Sequence, residues 1–149
     1  MDYSWYAFIT QDLIMYYRYC QKWVDLFHAN PKMIDIETAH YIKGMHNLMG
    51  AHFDLRNYQK LAETILAFEA FSQTPIVLQN HNNHIQVFVY LQIAKLNQHF
   101  LQGSFTEGLA DIHFIETKLT EYELYLDRHR ILVFYYKIAS LYFGSGNHE

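Results

Sequence analysis

The chain has 149 residues, about one domain's worth, and its 51% hydrophobic content sets it apart from disordered chains. A net charge of −4 carries no footprint of nucleic-acid binding and no acidic or basic tail. The unusual feature is aromatic: 13 Tyr, 11 Phe and 2 Trp, an excess that reads first as core packing.

The opening Met1-Asp2-Tyr3-Ser4 lacks the basic and apolar regions of a secretory leader, and no run approaches the roughly 18 apolar residues of a membrane span. The lone Cys20 has no intramolecular disulfide partner and no base beside it in sequence, so neither a staple nor a nucleophile is expected. These features together predict a soluble cytoplasmic protein.

Residues 3–29 are apolar at helical spacing: Trp5, Phe8, Ile9, Leu13, Tyr16, Tyr19, Trp23, Leu26 and Phe27. This length exceeds an average helix, so two helices with a break near Arg18 are expected. Asn30-Pro31 ends the stretch, because proline disfavours helix in the residue before it. Asp35 to Asp54 reads as the next helix, with Ile36, Ala39, Ile42 (or Lys43), Met45, Leu48, Met49 and His52 as its buried stripe. Gly44 and Gly50 inside it each cost about 1 kcal/mol against alanine and suggest close helix approach. Leu55-Arg56-Asn57 is a turn with Asn57 as N-cap. A helix from Tyr58 to Phe71 follows, with Leu61, Ile65, Phe68 and Phe71 on its apolar side.

Ser72 to Asn83 contains Pro75 and a polar Asn-rich run and reads as a loop. From His84 to Leu101 the pattern is helical again, and its nearly all-round apolarity indicates a helix covered on several sides. Gln102-Gly103-Ser104 is a turn, with Ser104 and Glu107 spaced as a capping box. Phe105 to Leu119 is the return helix. Glu121 to Phe143 becomes strongly apolar from Ile131, and Gly144-Ser145-Gly146 stops it, with Asn147 offering a cap for another helix. No period-two alternation is sustained, so the fold class is all-α.

Three turns overlay: His52-Phe53-Asp54-Leu55-Arg56-Asn57-Tyr58, His99-Phe100-Leu101-Gln102-Gly103-Ser104-Phe105 and Tyr142-Phe143-Gly144-Ser145-Gly146-Asn147-His148. Each ends one helix on a large ring or two, turns, caps and places another ring that can tuck back. The rings at 58, 105 and 148 follow one another at 47 and 43 residues. Tyr135, Ile138, Ala139 and Tyr142, at i, i+3, i+4 and i+7, resemble the first-helix signature of the tetratricopeptide-repeat (TPR) superfamily. The spacing of Met45, Leu48, Met49 and His52 is similar, and Gly108 and Ile112 stand where the family has Ala and Phe in its second helix. The periods exceed the family's 34 residues, so the helices are lengthened. In overall texture the chain resembles divergent TPR-like proteins of bacteria.

The resemblance implies a right-handed superhelix of antiparallel helix hairpins, an α-solenoid of about 3 to 3.5 pairs, spanning residues 1–149 as a single domain. It also implies a non-enzymatic scaffold that binds a protein or peptide in a groove lined by first helices. The mapped groove residues are Lys43, His46, Gly50 and Phe53, then Tyr90, Ile93 and Asn97, then Val133, Tyr136, Ser140 and Phe143. Lys43 and Asn97 fall short of the family's basic clamp for a C-terminal carboxylate, so an apolar or amphipathic helical segment suits the groove better. A signalling-peptide or small-molecule sensor is the alternative. The last helix lacks a return partner, which predicts a fragment of a longer repeat protein, or a homo-oligomer formed through that helix.

Catalytic patterns are missing. His81 and His84 are three residues apart without a carboxylate beside them, so no metal and no cofactor is expected. His52 and His99 share a repeat position and are assigned packing at the helix end. Asp127-Arg128-His129-Arg130 reads as a solvated or capping run. Glu63, Glu69, Glu107, Asp111 and Glu116 are assigned to the solvent side of second helices.

Overall fold

The structure, a computed structural model, describes residues 3–110, 112–122 and 128–145, and side-chain surroundings within 12–110, 112–122, 131–133 and 135–140. Among the described residues all regular structure is helical and there is no strand. The chain divides into two compact units, Met1–Phe68 and Glu69–Glu149.

Unit 1 contains α1 (Tyr3–Ala29), α2 (Lys32–Ile36), α3 (Thr38–Asp54) and most of α4 (Tyr58–Ser72). The expected break near Arg18 does not occur. With no glycine or proline before Pro31, nothing interrupts the backbone ladder, and α1 runs unbroken to Ala29. The break lies instead at Glu37, whose φ −117°, ψ 49° separate α2 from α3. Thr38 donates its hydroxyl to the Ile34 carbonyl at 2.7 Å and satisfies part of that junction. The helix read as starting at Asp35 is therefore two, and Ile36 and Ala39 are exposed rather than part of the buried stripe.

α1 and α3 pack together. The covered face of α1 includes Cys20 and Val24, both buried, with Tyr17 and Phe27 half-buried beside them. The Tyr17 ring lies 5.2 Å from that of His52, tilted by 54°, and Phe27 meets Tyr41 edge-on at 5.4 Å. The other apolar row read from the sequence, Tyr16, Tyr19 and Leu26, faces outward. α3 buries Ile42, Met45, Leu48, Met49 and His52. Gly44 allows this approach: a Cβ there would stand 2.8 Å from Trp23 Nε1, inside contact distance. Gly50 has no such neighbour within 4 Å, so only Gly44 marks a close approach.

The turn after α3 forms as the sequence predicts. Arg56 takes φ 58°, Asn57 N–H donates back to the His52 carbonyl at 2.9 Å, and Asn57 Oδ1 accepts from Lys60 N–H at 3.3 Å. Leu61, Ile65 and Phe68 of α4 are buried, and Phe71 lies buried in the next unit.

Unit 2 holds the end of α4, α5 (Pro75–Leu78), α6 (His81–Gln102), α7 (Phe105–Ala110), α8 (Ile112–Tyr122) and α9 (Arg128–Ser145). The segment expected to be one long loop contains a helical turn and the start of α6. Pro75 sits at the first turn of α5, where its fixed φ and missing N–H cost nothing. Asn80 caps α6 by accepting from Asn83 N–H at 2.9 Å, so the Asn-rich run is the polar first turn of a helix.

α6 is buried along Ile85, Val87, Val89, Tyr90, Leu91, Ile93, Ala94, Leu96 and Asn97, as its all-round apolarity predicts. Gly103 takes φ 69° in the following turn, and Phe105 folds back edge-on to Phe100 at 5.8 Å. The Ser104 hydroxyl lies 3.0 Å from His99 Nδ1. α8 buries Ile112, Ile115, Leu119 and Tyr122, the last edge-on to Phe88 at 5.6 Å. α6, α7 and α9 pack pairwise on one another. α9 continues through Gly144 to Ser145, beyond the expected stop at Gly144. Asn147 and its expected cap lie outside the described residues, as do Gly146 and Asp127.

Candidate functional site

The groove residues mapped from the repeat fall into both units, and their surroundings differ by helix. On α3, Lys43 is exposed, His46 and Phe53 are half-buried, and the Arg56 guanidinium lies 5.1 Å over the Phe53 ring. On α6, Tyr90, Ile93 and Asn97 are 3%, 7% and 5% exposed, so they belong to the core of unit 2 and not to its surface. Asn97 Oδ1 is buried there without a hydrogen-bond partner. On α9, Val133 and Ser140 are half-buried, the Ser140 hydroxyl donates to the Tyr136 carbonyl at 2.9 Å, and Tyr136 is 69% exposed. The Phe143 side chain lies outside the described residues.

α9 presents an apolar row outward. Leu132 is 67% exposed and Tyr135 53%, and both share a face with Tyr136 and the exposed Ala139 at i, i+3, i+4 and i+7. Ile138, on the flank of that row, is buried. An amphipathic helix normally turns such a row inward.

A second feature, which the sequence did not single out, lies wholly within unit 1. A solvent-open cavity of about 280 Å³ forms between α1, α3 and α4. Gln21, Val24 and His28 line it from α1, and Met45, Leu48 and His52 from α3. Lys60, Glu63, Thr64 and Ala67 complete it from α4.

His52 is 2% exposed, and its Nδ1 is buried without a hydrogen-bond partner. Leaving a buried polar group unpaired costs about 1–3 kcal/mol, a cost the fold bears at this nitrogen. Burial first, then the Lys60 charge, push the His52 pKa down to about 4, with Glu63 opposing. At neutral pH the ring is therefore uncharged, able to accept or donate one hydrogen bond according to tautomer, and a weak base. On the rim, Thr64 donates its hydroxyl to the Lys60 carbonyl at 2.8 Å, and Gln21 donates to Asp25 at 2.8 Å. His28 Nε2 and the Tyr41 hydroxyl are 3.0 Å apart.

Among the described residues no three His, Cys, Asp or Glu side chains converge as a metal-ligand set. His81 and His84 sit in the first turn of α6, and the His84 ring faces Tyr122 edge-on at 6.5 Å. Cys20 is buried and its thiol is pushed above its ordinary value by that burial, opposite to what a thiolate nucleophile requires. Glu69, assigned to solvent by pattern, pairs with Lys95 at 2.9 Å. Among the described residues no helix is long and apolar enough to cross a membrane. No family model matches the chain, and no curated protein or solved structure is significantly similar to it.

Proposed function

We propose that this chain is a non-enzymatic interaction module of TPR-like helix pairs, and that the outward row of α9 receives an amphipathic helical segment of a partner protein. The observation that carries the reading is the exposure of Leu132, Tyr135 and Tyr136 on one face. Anchors at i, i+3 and i+4 are the pattern by which a helix face meets another helix. Large aromatic side chains are also the residues that dominate binding interfaces. The mutual packing of α6, α7 and α9 agrees with a pair followed by the first helix of the next. The three turns of like sequence support the same arrangement. A chain with one buried free thiol suits a reducing compartment, so a cytoplasmic setting belongs to this reading.

The test is selection from a displayed library of amphipathic helical peptides against the wild-type chain and a Leu132→Asp, Tyr136→Asp variant. Both positions are exposed, so the variant keeps its fold, which circular dichroism verifies. Wild type should enrich peptides with apolar anchors at i, i+3, i+4 and i+7, and the variant should lose them. If no peptide is enriched, or the variant enriches the same ones, the reading is wrong. Concentration-dependent self-association of wild type by light scattering, abolished in the variant, would assign the face to a second copy instead.

A further inference from the structure

The cavity of unit 1 is too large to be a packing defect and too small for a drug-sized ligand. At about 280 Å³ it has room for roughly nine waters at ~30 Å³ each, and it falls just below the ~300–1,000 Å³ of typical small-molecule sites. Its polar groups are arranged in depth. His52 lines one wall of the cavity, and its buried Nδ1 is unpartnered behind that wall. Lys60 and Glu63, both exposed, stand one helical turn apart on α4, so a cation and an anion line the same opening about 5–6 Å apart at their Cβ atoms. Among the described residues neither belongs to an ion pair. Both charges act on the His52 ring, which places them within electrostatic reach of the interior. Val24, Met45, Leu48 and Ala67 supply apolar wall between these points.

One cation, one anion, an apolar wall and one neutral hydrogen-bonding ring match a molecule that carries a carboxylate, an ammonium and a short side chain. We propose that the cavity between α1, α3 and α4 binds a free amino acid, its carboxylate toward Lys60, its ammonium toward Glu63 and a polar side-chain atom toward the His52 ring. Monovalent anions or cations satisfy only half of the rim, and a residue inside a peptide lacks the two charges that the rim pairs. The site is independent of the α9 face, so the two proposals fail separately.

The experiment is calorimetric titration of the full chain with each of the twenty L-amino acids in turn, and with the N-acetyl and carboxamide derivatives of any that binds. At least one polar amino acid should bind in the micromolar to millimolar range, and ligand addition should shift the ¹⁵N signals of the His52 ring. Both blocked derivatives, and the variants Lys60→Gln and Glu63→Gln, should each weaken binding by at least about tenfold. Lys60 and Glu63 are exposed, so these variants remain folded where His52→Ala could collapse the wall. No binding by any amino acid at millimolar concentration would overturn the proposal. So would binding that survives both rim substitutions, or that leaves the His52 signals unmoved.

Discussion

α3 and α9 align position for position across the repeat, Met45, Leu48, Met49 and His52 against Tyr135, Ile138, Ala139 and Tyr142, and both carry helical spacing. On α3 all four residues are no more than 3% exposed. On α9 Ile138 is buried, Tyr135 is 53% exposed and Ala139 is also exposed. The α3 row lies in unit 1, where α1 packs along α3 and Gly44 admits the Trp23 indole. On α9 the neighbours α6 and α7 leave the Leu132–Tyr136 side uncovered. Periodicity therefore tells which residues share a face. Whether that face is covered depends on elements far away in sequence.

The largest expected effect sharpens this contrast directly. Met45→Ala removes a side chain that is 1% exposed and should cost about 2–5 kcal/mol in urea unfolding. Tyr135→Ala, at the aligned position, should stay within about 0.5 kcal/mol of wild type. Equal losses at both would mean that the α9 face is packed after all.

Next in size is a pH effect centred on His52. Its folded pKa is held near 4, while in the unfolded chain it titrates near 6.5. Between those values the unfolded chain binds a proton that the folded one refuses. The contribution is complete above about pH 6.5 and is lost as pH falls toward 4, by on the order of 3 kcal/mol. Stability of His52→Gln measured over that window should have the shallower slope. Parallel curves would remove His52 as the cause.

The smallest effect separates the two glycines of α3. Gly44→Ala forces a methyl against the rigid indole of Trp23 and should destabilise by about 1–2 kcal/mol net of its helix-propensity gain. Gly50→Ala meets nothing within 4 Å and should stabilise by up to about 1 kcal/mol. A stabilising Gly44→Ala would show that α1 is free to move away from α3.

Features set by local chemistry were legible from the sequence. The Leu61, Ile65, Phe68, Phe71 row, the Asn57 cap and the turn at Gly103 all follow from spacing and from what a residue's own backbone tolerates. Two local readings failed for local reasons. Length alone does not break α1 when it contains no glycine or proline. The polar Asn80–Asn83 run resembled a loop because a capped, solvent-facing first turn has the same composition.

Site residues were harder to read. Tyr90, Ile93 and Asn97 were mapped to a groove by repeat register, although the all-round apolarity of α6 already pointed to their burial. The His52 cavity was invisible because it needs Val24, Leu48 and Glu63, from three helices, to face one another. Within the sequence, the only hint was a histidine in an otherwise apolar row.

The single thiol of the chain offers one more consequence. Cys20 is 4% exposed on the side of α1 that is turned away from water, and its sulfur is held protonated more firmly than an ordinary one. A maleimide or iodoacetamide can therefore reach it only in molecules where the long first helix has momentarily lifted. The rate of alkylation under native conditions thus becomes a clock for that opening, read at one known atom without any engineered label.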